Sequence, residues 1–102
     1  MNAGAHYLLA LGREQAGEAA AAIEHDRTAA YLDPAFAMPR LHLGILARRA
    51  GDIHAARREL ERARLLLVEE ASARLLLFGG GFSREALIQL CHAELKACGG
   101  IS

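Results

Sequence analysis

The sequence predicts an all-α fold made of two helical hairpins and a closing helix, and three observations lead there. The stretch from Leu41 to Leu67, LHLGILARRAGDIHAARRELERARLLL, reads as two amphipathic helices on either side of a turn at Gly51 and Asp52, with Leu43, Gly44, Ala47, Ala56, Leu60 and Ala63 at helical spacing. The same residues recur upstream at an offset of 34: Leu9 with Leu43, Gly17 with Gly51, Ala22 with Ala56, and Ala29 with Ala63. Beyond the glycine run at 79–81, Leu87, Ile88, Leu90, Cys91, Leu95 and Cys98 form one wide apolar stripe, the mark of a helix that covers something.

Each element then follows in order. The first helix covers about Ala5 to Gln15, and the second, rich in alanine, runs from Glu18 to Tyr31. Leu32-Asp33-Pro34 closes it, since proline cannot continue a helix and pushes the preceding residue out of the α region. A start near Phe36 or Ala37 puts Pro39 in the first turn of the third helix, where a missing N–H does no harm. Gly51 ends that helix and Asp52 caps the fourth. Glu69 to Leu77 either extends the fourth helix or starts a short new one. Phe78-Gly79-Gly80-Gly81-Phe82 then breaks the pattern as a flexible hinge anchored by its two phenylalanines. Ser83 caps a last helix over Arg84 to Cys98, closed by Gly99 and Gly100.

A bulky and a small residue on the first helix of a pair, spaced alanines on the second and a period of 34 make the tetratricopeptide pattern. The expected organisation is therefore one domain over 1–102: repeat 1 at 5–34, repeat 2 at 35–68, a connector at 69–82 and a capping helix at 83–98. The cap covers the apolar face that a terminal repeat leaves open. Two residues depart from the repeat. Ala10 stands where the second copy has Gly44, and Asp26 occupies the apolar position of Leu60, which weakens the inner face of repeat 1 unless that end is solvated.

Composition narrows the function by exclusion. Lysine plus arginine equals aspartate plus glutamate at 12 each, so net charge points neither to nucleic acid nor to a membrane surface. The arginines at 48, 49, 57, 58, 62 and 64 are interleaved with Glu59 and Glu61 and read as a solvated helix face. No apolar run approaches the roughly 18 residues of a membrane span and no secretion signal opens the chain, so the expected location is cytoplasmic. Cys91 and Cys98 lie two turns apart on one face and read as buried small hydrophobes. The five histidines show no metal-ligand spacing, the glycine run lacks the residues of a phosphate loop, and none of the three serines has a base beside it. No catalytic, cofactor-binding or metal-ligating residue is expected.

Binding surface is what remains. In helical repeats the concave side is lined by the first helices, which here offer Tyr7, Leu11 and Glu14, then Leu41, Ile45, Arg48 and Arg49. Two outcomes stand side by side: an open groove that takes a protein partner, or a face covered by the last helix or by a second copy. Two repeats are fewer than the three or so that usually make a stable stack, so a homodimer formed by helix exchange through Gly79–Gly81 is an alternative. A receptor for peptide carboxylates is disfavoured, because the only asparagine and lysine, Asn2 and Lys96, lie outside both repeats.

Larger blocks carry a more specific likeness. Tyr31-Leu32-Asp33-Pro34-Ala35-Phe36-Ala37 with Leu41-His42-Leu43-Gly44, then Leu77-Phe78-Gly79-Gly80-Gly81-Phe82-Ser83-Arg84-Glu85-Ala86-Leu87-Ile88 and Cys91-His92-Ala93-Glu94-Leu95, are similar to the tetratricopeptide segment joined to the C-terminus of CheR-type chemoreceptor methyltransferases, as in the myxobacterial Frz system. The likeness spans Ala5 to about Cys98. It implies a parent enzyme that methylates chemoreceptor glutamates from S-adenosylmethionine in a catalytic domain outside these residues. It also implies that this segment regulates that enzyme by recognising a receptor, a regulator or the enzyme's own catalytic domain. A repeat that begins almost at Met1 suits a segment of such a longer chain.

Overall fold

The computed structural model describes residues 1–99, which form an all-α chain. Six helices follow in order: α1 (Ala3–Gln15), α2 (Ala19–Leu32), α3 (Ala37–Arg49), α4 (Ile53–Glu69), α5 (Ser72–Phe78) and α6 (Arg84–Ala97). The packing α1 on α2 and α3 on α4 makes two hairpins, α2 rests on α3, and α6 lies along α4 with a smaller contact to α3. Among the described residues no helix is long and apolar enough to cross a membrane.

The two hairpin turns match bond for bond. Ala16 N–H donates to Gly12 O, Gly17 to Glu14 and Glu18 to Arg13, at 3.1, 2.9 and 2.8 Å. Ala50 donates to Leu46, Gly51 to Arg48 and Asp52 to Ala47, at 3.0, 3.0 and 2.9 Å. Both glycines sit at positive φ, 80° and 85°, so each turn satisfies the last carbonyls of its first helix through a left-handed residue. Burial repeats as well: Ala22, Ala29, Ala56 and Ala63 are all inaccessible to solvent.

Side-chain size differs at the crossing inside each hairpin. A Cβ on Gly44 would lie 2.6 Å from Leu60 Cγ, so α3 and α4 approach closely only because position 44 lacks one. The equivalent pair in the first hairpin is Ala10 with Asp26, a larger residue with a shorter partner, and both are fully buried. We expect Gly44→Ala to destabilise the fold by about 1–3 kcal/mol through this overlap. A urea midpoint equal to that of the parent would show that the hairpin opens without cost.

Asn2, Asp52 and Ser83 cap α1, α4 and α6, accepting from Ala5, Ala55 and Ala86 N–H. α3 is capped from a distance: Ala37 N–H donates at 2.8 Å to the buried carboxylate of Glu70, which follows α4. Arg74 bonds that carboxylate at 3.1 Å, reaches Asp33 as well, and sits 4.5 Å over the Phe36 ring. The connector thus holds a short helix of its own, and that helix locks the junction between the hairpins.

α6 buries Leu87, Cys91 and Cys98 against the main core, with Ile88, Leu90 and Leu95 packed around them. Arg84 at its start donates to Leu67 O at 2.5 Å and so satisfies a carbonyl in the last turn of α4. The expectation of two anchoring phenylalanines is corrected. Phe78 packs edge-on against Tyr7 and Phe36, whereas Phe82 is 61% exposed, because the turn at Gly80 and Gly81, with φ of 66° and 87°, directs the chain outward. Gly100, expected to help close the last helix, lies outside the described residues.

Candidate functional site

An almost wholly apolar groove of about 280 Å³ lies between the first helices of the two hairpins, the glycine turn and α6. Tyr7 and Leu11 come from α1, Met38, Leu41, His42 and Ile45 from α3, Phe78 and Phe82 flank the glycine turn, and Leu87 and Leu90 form the α6 wall. Tyr7, Met38, Leu41, His42 and Leu87 are buried and make the floor; Leu11, Ile45 and Leu90 stand half-exposed at the sides. The His42 ring and the Tyr7 hydroxyl are its only polar side-chain groups among these residues.

Four of the seven residues expected to bind a partner therefore lie together: Tyr7, Leu11, Leu41 and Ile45. α6 contributes a wall to this groove through Leu87 and Leu90. The other three, Glu14, Arg48 and Arg49, are one turn further along their helices and are engaged within the chain. Arg48 pairs with Glu94 of α6, and Arg49 Nη1 lies 2.7 Å from Glu14 Oε2. Each finds an opposite charge on a neighbouring helix, which leaves that end of the groove electrically balanced.

Beneath the groove lies a chain of ionisable groups that crosses three helices. Glu14 Oε1 of α1 meets His42 Nε2 of α3 at 2.7 Å. The other ring nitrogen, Nδ1, is 2.5 Å from Oδ2 of Asp26 on α2, outside hydrogen-bond alignment, so this contact is a charge pair. Asp26 is 0% exposed, so the solvation that would have relieved its place on the inner face is absent; it is tolerated because His42 supplies a cation. Burial raises the Asp26 carboxyl to about 6, with His42 opposing and Glu14 adding to the rise. Burial works against a charged His42, but Asp26 and then Glu14 outweigh it and leave its pKa above the usual imidazole value. The hydrogen bond from His42 holds Glu14 below the ordinary carboxylate range, with Arg49 assisting. Tyr7 stands edge-on to the imidazole, and its hydroxyl is pushed well above its normal range by burial and then by Asp26 and Glu14.

His42 is thus a buried histidine that repeat matching passes over. Its counterpart 34 residues earlier is Leu8, so the repeat gives no hint of its role. The available signal was the pair of anomalies itself: an acid in an apolar slot and a histidine on an apolar face. Both cysteines are buried, and burial pushes the Cys91 thiol up to about 11, keeping it protonated at neutral pH. Among the described residues no group of three or more His, Cys, Asp or Glu side chains is placed to hold a metal ion. No protein-family model, curated protein or solved structure matches the chain.

Proposed function

We propose that this chain is a noncatalytic tetratricopeptide-type interaction domain whose groove takes an amphipathic helix of a protein partner. The apolar lining of the groove carries the reading. An extended peptide must find hydrogen-bond partners for its backbone, and the lining supplies almost none, with His42 already engaged by Glu14 and Asp26. A helix satisfies its own backbone and needs only an apolar face to dock. The duplicated turns at Gly17 and Gly51 and the duplicated buried alanines support the repeat assignment. The sequence likeness to the CheR-type segment suggests the context: regulation of an S-adenosylmethionine-dependent protein-glutamate methyltransferase in chemotaxis signalling, with a chemoreceptor, a regulator or the catalytic domain as partner.

The test is titration of the domain against purified cytoplasmic chemoreceptor fragments and against the methyltransferase catalytic domain. Ile45→Glu and Leu90→Glu each place a charge on a groove wall, and either should weaken binding at least about tenfold while helicity by circular dichroism is kept. Binding that both variants retain in full would remove the groove from the reading. A structural role as a self-association module is favoured by one observation. Leu76, Leu77 and Phe82, on either side of the glycine turn in the chain, are 85%, 74% and 61% exposed, and Leu76 and Phe82 share one surface. A stable dimer by light scattering at micromolar concentration, dispersed by Leu76→Ser with Phe82→Ser, would put that reading first.

A further inference from the structure

His6 on α1 and His25 on α2 meet edge to edge through their Nδ1 atoms, both half-buried, and neither takes part in the groove or the Asp26 network. Their Nδ1 atoms are 3.1 Å apart, and the ring centroids are 5.3 Å apart with the planes tilted by 33°. The separation is diagnostic in two ways. It allows one Nδ1–H to donate to the other ring, which requires the two rings to hold different tautomers. It is also close to the about 3.3 Å between two nitrogens held at about 2.0–2.1 Å by one tetrahedral zinc ion, which both rings reach by turning their Nδ1 lone pairs off the line that joins them.

We propose that His6 and His25 form a two-imidazole site for a divalent transition-metal ion of the zinc, nickel and copper class. The ion takes the place of the shared Nδ1 proton. That proton moves to the Nε2 of its own ring, so both rings stay neutral and each presents a lone pair with no net proton released. Imidazole suits these metals, and with nothing softer or harder beside the pair, copper(II) binds more tightly than nickel or zinc. Water completes the coordination sphere, so the site is open to a further ligand from outside. Because the two ligands come from different helices, the ion also clamps α1 to α2, and it binds the folded chain in preference to the unfolded one.

The experiment is calorimetric titration of the intact, reduced protein with zinc and then copper(II), alongside thermal unfolding with each metal. One equivalent should bind, and the midpoint should rise with metal concentration. His6→Asn and His25→Asn should each weaken binding at least about tenfold and abolish the thermal shift, because one imidazole alone cannot chelate. The exposed histidines at 54 and 92 serve as controls, and His54→Asn with His92→Asn should change neither readout. For the unmodified protein, nickel or copper should selectively broaden the His6 and His25 ring signals in NMR, a readout that needs no variant to fold. Absence of one-to-one binding at about 100 µM metal, or binding that persists without His6 and His25, overturns the proposal.

Discussion

His42→Leu should destabilise the protein by about 3–5 kcal/mol near pH 7, because it strands Asp26 in the interior without its cation. The carboxylate is fully buried and neither oxygen has a hydrogen-bond donor in alignment, so His42 is what makes its charge tolerable. The effect depends on pH in a direction that follows from the two shifts. Asp26 has a folded-state pKa of about 6, above its unfolded value, so its contribution is most favourable below the unfolded pKa and is lost as pH rises towards and through 6. His42, raised above the usual imidazole value, contributes below that value and loses its contribution as pH rises through its folded pKa. Glu14, held low by His42, acts oppositely: its contribution is present above the ordinary carboxylate pKa and is lost as pH falls through its lowered one. From these three groups, stability should decline from mildly acidic pH to pH 8.

In the leucine variant the cation that held Asp26 down is gone. Its pKa rises further, and the deficit relative to the parent should be smallest near pH 5 and widen towards pH 8. Adding Asp26→Ala should recover a large part of the loss, since it removes the stranded charge without the overlap that a leucine would meet at Ala10, where the second hairpin has Gly44. Urea unfolding of the parent, the single variant and the double variant at these two pH values checks all three statements. A deficit under about 1 kcal/mol that does not change with pH would mean that something other than His42 accommodates the Asp26 charge.

Phe36→Ala should cost about 3–5 kcal/mol through the cavity it leaves. Phe36 is completely buried where α2 hands over to α3, packed edge-on against Tyr7 and Phe78 with ring centroids 5.7 and 5.1 Å away. Its ring also carries the Arg74 guanidinium, which ties Glu70 and Asp33 together. The deletion therefore loosens the hairpin junction and the Phe78 wall of the groove at once. At roughly 4–8 °C per kcal/mol the midpoint of thermal unfolding should fall by about 12–40 °C, while Phe36→Leu keeps most of the volume and should fall much less. A drop below about 5 °C for the alanine variant would show that α5 collapses into the space.

Local pattern made the helices and their ends legible. Asp52 and Ser83 are small polar residues immediately before apolar periodic stretches, and both are the caps seen. The cap of α3 was not legible, because Phe36 has no capping group and the acceptor, Glu70, comes from 33 residues further on. The two flanking phenylalanines are equivalent in sequence, yet one enters an aromatic cluster and the other faces solvent, a difference set by the path of the glycine turn. The apolar half of the groove followed from which helix faces are concave. The fates of Glu14, Arg48 and Arg49 did not, since each is decided by what the neighbouring helix presents.

Five of the six helices, the two glycine turns and the close approach at Gly44 were readable from sequence, and the helix in the connector was left open. These depend on spacing within a helix or on a repeat 34 residues long, and both can be read along one dimension. The burial of Asp26, the link from Glu14 through His42 to it, the capping of α3 by Glu70 and the meeting of His6 with His25 come from the folded arrangement. Each of those joins side chains on different helices, whose separation depends on helix crossing and on rotamers that burial selects. In a buried place a small change in that separation is the difference between a paired charge and a stranded one.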